Sequence, residues 1–305
     1  MNYFLAVDGG GTSTKIALAD EAGKILYQVE TGPASLTATS VGAASFNLKE
    51  AIRQVTEKLT PPWQVSKMVM GLAGLDTAEE EKLAYQVFGE VVKQFPITNF
   101  VLINNVKIAL IAGTNNFNAL AIIASTGSNC YGHNDEGREH WVGGMDFLLT
   151  DQGSGYAIGR EVLRSAVKSF DLRGEKTVLE NKVLEHFKIS SMKQLKNVVY
   201  NPLLSKPEVA DLALLAFAGL ETGDRVSQKI LDHAIEELFL MAETVIGQLN
   251  LLTKNADCVL VGKVVTNPYI RQNLEKKLKT LGSELNIIVS EGNSVAGALK
   301  LAMEH

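Results

Sequence analysis

The chain has 305 residues, a formal net charge of -5, 46% hydrophobic and 21% charged residues. That apolar content excludes an intrinsically disordered chain, and the acidic balance excludes a dedicated nucleic-acid binder, which carries a basic surplus. The length is that of roughly two domains of about 150 residues each. Two cysteines, Cys130 and Cys258, are too few for a disulfide framework and fit a reducing compartment. The opening MNYFLAVDGGG has neither the basic start nor the long apolar core of a secretion signal. No run of about 18 apolar residues occurs, so a cytoplasmic protein without a membrane segment is expected.

In chain order, residues 3–7 read as a short apolar strand and Asp8-Gly9-Gly10-Gly11-Thr12 as a turn. Residues 15–18 form a second strand, and Asp20-Glu21-Ala22-Gly23 a hairpin turn into a third over residues 24–29. Ile52, Val55 and Leu59 at helical spacing predict a helix over residues 45–59, stopped by Pro61-Pro62. A strand at 67–71, a helix at 78–94, a strand at 100–103 and a short helix to residue 112 follow. At about Asn118 the opening pattern returns. Shifted by 114 positions, Thr12 falls on Thr126, Gly23 on Gly137 and Lys24 on Arg138, which implies an internal duplication of a three-stranded meander. Residues 154–250 are mostly helical, with Ile230, Ile235, Leu238, Met241, Val245 and Leu249 on one stripe. Strands at 258–261 and 286–289 then alternate with helices at 268–281 and Ser294–Met303. The expected organisation is an N-terminal domain of residues 1–115 plus 293–305, and a C-terminal domain of residues 116–292 carrying the helical insertion.

Four motifs carry chemistry. In Asp8-Gly9-Gly10-Gly11-Thr12-Ser13-Thr14-Lys15 the glycines let backbone N–H groups approach an anion without interference from Cβ. Thr12 and Thr14 add hydroxyl donors, and Asp8 at a strand end can hold Mg2+, which prefers carboxylates together with phosphates. A plain hairpin turn is the alternative, but it needs fewer glycines. Because a strand follows, this is neither a Walker loop nor a G-x-G-x-x-G fingerprint. The second motif, Ala124-Ser125-Thr126-Gly127-Ser128, stands at the equivalent turn of the repeat, so that two hairpins would grip a triphosphate. The third, Asp151-Gln152-Gly153-Ser154-Gly155-Tyr156, precedes a helix. Asp151 there is either a ligand for a metal or sugar hydroxyl or an N-cap. The fourth, Val259-Leu260-Val261-Gly262-Lys263, runs a strand into a glycine, which suits a nucleotide base against backbone or an ordinary strand-end turn.

These motifs in this order resemble the actin/hexokinase/Hsp70 ATPase superfamily. Within it they resemble the group of N-acetylglucosamine kinases and BadF/BadG/BcrA/BcrD activator ATPases. The likeness also rests on Gly71-Leu72-Ala73-Gly74, Val142-Gly143-Gly144 and Ala296-Gly297-Ala298. It implies an α/β fold of duplicated ribonuclease H-like, actin-like ATPase domains flanking a nucleotide cleft. The implied function is transfer of a phosphoryl group from ATP, with Mg2+, to a hydroxyl of an amino sugar such as N-acetylglucosamine. A homodimer, with no nucleic-acid or membrane partner, completes the expectation. The implied roles are cofactor binding by Asp8, Gly9, Gly10, Gly11, Thr12, Thr14, Lys15, Thr126, Gly127, Ser128 and Gly262, with Asp8 on the metal. Asn104, Gly143, Gly144 and Asp151 would face the sugar.

The departures are specific. Where such kinases carry an Asn-Asp pair whose Asp takes the proton of the sugar hydroxyl, this chain has Asn104-Asn105, and an amide is no base. The catalytic positions are therefore Asn105 and Asp151, with impaired transfer expected from the first. A sugar-side Asn is replaced by Leu36, an aromatic by Met145, a Glu by Gln152 and a second Gly by Lys263. A non-catalytic sugar or nucleotide sensor of the same fold is the alternative. An activator ATPase would need cysteines placed to share an iron–sulfur cluster across a dimer, whereas Cys130 and Cys258 fall in predicted strands.

Overall fold

The computed structural model describes residues 2–282, 285–290 and 293–304. The expected boundary at residue 292 and the last residue, His305, lie outside the described residues. The chain divides into two compact units, Met1–Ala121 with Ile288–His305, and Ile122–Ile287.

In the first unit, β1 (Asn2–Gly9), β2 (Thr14–Ala19) and β3 (Ile25–Thr31) form an antiparallel meander. After α1 (Val41–Thr56), β4 (Gln64–Leu72) runs parallel to β1. After α2 (Ala78–Val92), β5 (Ile97–Asn104) runs parallel to β4, giving the order β3-β2-β1-β4-β5. Helix α3 (Asn105–Gly113) follows without a loop. Strand β1 sends alternate side chains to opposite faces. Leu5 and Val7 join Ile16, Leu48, Ile52, Met70 and Phe88 on one side, while Ala6 meets Ala17, Val69 and Ile108 on the other. Helix α1 starts four residues earlier than its apolar spacing predicts, because the Ser40 hydroxyl accepts the Ala43 N–H at 3.3 Å and caps it.

The second sheet contains β6 (Ala119–Ala124), β7 (Ser128–His133) and β8 (Glu139–Gly143). The helical stretch follows as α4 (Gly155–Phe170), α5 (Leu179–Phe187), α6 (Leu195–Tyr200), α7 (Lys206–Asp211), α8 (Ala213–Glu221) and α9 (Arg225–Gln248). Then come β9 (Ala256–Val261), α10 (Pro268–Lys279) and β10 (Leu285–Val289), and the strand order is β10-β9-β6-β7-β8. Of the predicted stripe on α9, Ile235, Leu238, Met241 and Val245 are buried, and so is Leu249 just past its end.

The two sheets have one strand order, and their hairpins match bond for bond. Gly23 (φ +78°) and Gly137 (φ +74°) hold the left-handed position that glycine adopts without strain. Asp20 N–H bonds to Lys24 O as Asn134 N–H bonds to Arg138 O, each at 3.1 Å. The Asp20 and Asn134 side chains each accept two backbone N–H groups of their own turn. These pairs lie 114 residues apart, the shift read from the sequence.

The last helix, α11 (Ser294–Met303), belongs to the first unit. Val295, Ala298 and Leu299 pack with Ala6, Val69 and Ile108. Lys300 Nζ donates to Ile111 O and Asn115 Oδ1, each at 2.9 Å. The contact is so close that a Cβ on Gly297 would stand 1.9 Å from Ile108 O, whereas a Cβ on Gly89 of α2 would meet nothing within 4 Å. Gly297→Ala should therefore cost at least about 1–3 kcal/mol by overpacking. Gly89→Ala should stabilise by about 0.5–1 kcal/mol through helix propensity. Chemical denaturation of the two variants measures both signs.

Candidate functional site

On the first unit the site grows from the β1–β2 turn. Gly9 pairs with Thr14, and the turn closes with Gly10 N–H to Ser13 O at 2.9 Å. Neighbouring loops hold it from behind: Ser35 N–H reaches Gly10 O at 3.4 Å and Ala73 N–H reaches Gly9 O at 2.9 Å. A Cβ on Gly9 would lie 3.0 Å from the Leu72 and Met70 side chains, and one on Gly10 would lie 3.0 Å from Ser13 O. Gly11 and Thr12 form the tip, and Thr12 is exposed. The structure separates the two predicted hydroxyl donors. Thr14 is fully buried in β2, its Oγ1 without a hydrogen-bond partner among the described residues, so Thr12 is the hydroxyl that a phosphate arriving from solvent can meet.

Asp8 lies opposite Lys15 across β1 and β2. Burial pushes its carboxyl up to about 6, against the opposing effects of the Lys15 charge and a hydrogen bond with Ser294. A carboxylate so desolvated gains from a cation. Among the described residues no group of three or more His, Cys, Asp or Glu could hold a metal, so an all-protein metal cage is not what this turn provides. One carboxylate beside a glycine turn fits Mg2+, which keeps waters and shares substrate phosphates.

Strands β4 and β5 end level with this turn, Leu72 pairing with Asn104. Asn104 is 6% exposed and caps α3, its Oδ1 accepting Val106 N–H at 3.0 Å. Its Nδ2 donates to Leu75 O at 3.1 Å and to Asp76 Oδ1 at 2.7 Å. Asn105 is the first residue of α3.

On the second unit the counterpart is the turn between β6 and β7, closed by Ser125 N–H to Gly127 O at 2.9 Å. Asp151 is 5% exposed and fastens it. Its Oδ1 accepts Ser128 N–H at 3.2 Å, and its Oδ2 pairs with Lys206 Nζ at 2.8 Å. Lys206 also pairs with Asp146. Burial works against the lysine charge, but the hydrogen bonds to Asp146 and Asp151 outweigh it and hold the ammonium above its ordinary range. A Cβ on Gly127 would lie 2.8 Å from Asp151 Oδ2. The cap of α4 is Ser154, whose Oγ accepts Ala157 N–H at 3.2 Å, not Asp151. The first amides of that helix donate to the turn itself, Gly155 N–H to Ser125 O at 2.7 Å and Tyr156 N–H to Thr126 O at 3.2 Å.

The same turn gathers the remaining predicted residues of this unit. Gly262 (φ +102°) stands where a Cβ would meet Ala124 O at 2.5 Å, and Gly143 (φ +86°) where one would meet Ser128 O at 3.2 Å; Gly144 (φ +84°) follows it. Lys263 and Met145 are exposed. Cys130 and Cys258 are buried in β7 and β9, where burial pushes the first thiol well above its ordinary range and the second up to about 12. Thiols held protonated are poor metal ligands.

Sequence reading missed Ser294, Lys206 and Asp76. Ser294 opens a helix that was expected. Asp76 follows the quoted Gly71–Gly74 motif by two positions, a signal that stood in view. Lys206 gave none, lying 55 residues from Asp151.

The BadF/BadG/BcrA/BcrD ATPase family model matches residues 5–302. The chain belongs to this family. It is 32% identical over 304 residues to the N-acetylmuramic acid/N-acetylglucosamine kinase of Clostridium acetobutylicum, covering 99% of this chain and 98% of that one. It is 30% identical over 315 residues to the N-acetyl-D-glucosamine kinase of Dictyostelium discoideum, covering 98% and 97%. A solved candidate N-acetylglucosamine kinase from Chromobacterium violaceum superposes with a TM-score of 0.77 at 21% identity, covering 99% of both chains. For this member of the BadF/BadG/BcrA/BcrD family the fold is thus the duplicated, actin-like α/β architecture.

Two outcomes follow from the charges. An acid whose pKa is raised on folding binds more protons folded than unfolded between its ordinary value, 3.8, and about 6. Stability therefore falls as pH rises through that window, and the cost is complete above it. Asp8→Asn should stabilise the fold at neutral pH, the gain vanishing below about pH 4, as read by thermal denaturation across pH. Asp151→Ala should cost about 1–3 kcal/mol by leaving the buried Ser128 amide unpaired and Lys206 with Asp146 alone. Adding Lys206→Met should recover part of that loss, measured by denaturing the single and double variants.

Proposed function

We propose that this chain transfers the γ-phosphoryl group of ATP to a hydroxyl of an N-acetylated amino sugar, with N-acetylglucosamine and N-acetylmuramic acid as the first candidates. The observation that carries the reading is the glycine turn of the first unit, clamped from behind by two loops, in a chain alignable over nearly its whole length with two N-acetylhexosamine kinases. In phosphoryl transfer most of the catalysis is positioning and neutralisation of charge. The Gly10–Ser13 turn supports that role because its tip is small and its base is clamped by two neighbouring loops, so its amides keep their places when a phosphate arrives. Thr12 adds an exposed hydroxyl. Asp8 would hold Mg2+, which when bound neutralises phosphate charge.

On the second unit the Ser125–Ser128 turn is assigned to phosphate as well, Gly262 packs against Ala124 behind it, and the Gly143-Gly144 turn is assigned to the sugar. In this assignment Asp151 positions the turn. Both of its oxygens are engaged, by an amide and an ammonium, which suits holding the turn in place.

The test is a coupled assay of ADP release with Mg2+ and a panel of N-acetylglucosamine, N-acetylmuramic acid, glucosamine and glucose. Turnover that depends on an N-acetylated sugar is expected. Absence of sugar-dependent ADP release across the panel overturns the reading.

A further inference from the structure

The kinase reading leaves a chemical gap, because the strand end that ought to supply a proton acceptor ends in two amides. Asn105 has a carboxamide, whose nitrogen lone pair is delocalised and takes no proton near neutrality. Asn104 is equally unable, and its oxygen is already occupied by Val106 N–H. Asp8 lies in β1 just before the glycine turn, bonded to Ser294.

We propose that Asp76 is the carboxylate that accepts the proton of the sugar hydroxyl. Asp76 is exposed and follows β4, the strand between β1 and β5, on the edge where the Gly10–Ser13 turn and Asn104-Asn105 also lie. Ligands of open α/β sheets bind at this carboxyl edge. Its loop is not free to wander. Ala73 N–H is bonded to Gly9 O. Gly74 (φ +76°) packs so closely on the loop after β3 that a Cβ would meet Thr37 Oγ1 at 2.6 Å. The Asp76 and Thr77 amides both donate to Glu80 Oε2, at 3.0 and 2.9 Å. The carboxylate itself is held through Oδ1 by Asn104 Nδ2 at 2.7 Å. A buried amide thus orients a carboxylate beside the position where Asn105 lacks one.

The step balances without a further reagent. The sugar oxygen bonds to the γ-phosphorus while the bond from that phosphorus to the bridging oxygen breaks. That electron pair leaves with ADP, and the hydroxyl proton passes to Asp76 and then to solvent. A base must stand within one hydrogen bond of the hydroxyl, and the loop that carries Asp76 is tied directly to the loop assigned to the γ-phosphate.

The inference rests on the kinase reading, and one set of assays separates the two. With ATP, Mg2+ and the best sugar of the panel, Asp76→Asn should lower kcat about 10²–10⁴-fold. KM for both substrates and Tm should be unchanged, since the new amide oxygen can still accept from Asn104. Adding Asn105→Asp should restore kcat by roughly tenfold or more, by supplying a carboxylate at the neighbouring position. An Asp76→Asn enzyme with wild-type kcat overturns the inference. So does a loss that appears as raised KM or lowered Tm and is not relieved by Asn105→Asp, for then Asp76 only holds the loop. A wild-type chain inert toward every sugar removes the kinase reading itself, and this inference with it.

Discussion

Parallel pairing of β4 between β1 and β5 is the constraint on which the first unit depends. Parallel strands end on one edge, so whatever follows them in sequence is delivered together. The glycine turn comes from β1, the Gly71–Asp76 segment from β4 and the asparagine pair from β5. Residues almost a hundred positions apart become neighbours for no reason of their own chemistry. The hydrogen bonds Ala73 N–H to Gly9 O and Asn104 Nδ2 to Asp76 then lock the loops to one another. The buried runs Leu5–Val7 of β1 and Met68–Leu72 of β4, covered by helices on both faces, suit such a parallel core.

Duplication produced two copies of this device, and the copies have diverged at the turn. Strand β1 ends Asp8-Gly9 and four residues precede Thr14; β6 ends Ile123-Ala124 and three precede Ser128. The first turn has a carboxylate at its base and an open tip. The second has an apolar residue at that position and takes its carboxylate from outside, from Asp151, which binds the turn amide and is itself neutralised by Lys206. Its carbonyls are spent on the first amides of α4. One turn has its carboxylate on its own strand; the other borrows a carboxylate to keep its shape.

Much of this was legible in the sequence because it is local. Gly23 and Gly137 announce hairpins through their own backbone preference. The DGGGT segment announces the turn between β1 and β2, and the 114-residue shift reveals the repeat. Helix boundaries moved by a few residues where a side chain such as Ser40 supplied a cap ahead of the apolar pattern. What stayed hidden is long-range and polar. Lys206 meets Asp151 across 55 residues, and Ser294 meets Asp8 across most of the chain. Neither contact leaves a periodic trace. Asp151 read as a helix cap or ligand because a carboxylate before a helix has those local uses; its partners come from a strand and from a distant helix.

The return of α11 to the first unit sets an order of events during synthesis. The strands, the glycine turn and the asparagine pair of that unit all emerge from the ribosome early. Yet the face formed by Ala6, Ala17, Val69 and Ile108 stays bare until Val295, Ala298 and Leu299 arrive. Asp8 likewise waits for Ser294. The second unit has every strand of its sheet by residue 289, so it can complete that sheet before the first unit is whole. The first unit to be made is thus completed only after the strands of the second sheet have been laid down.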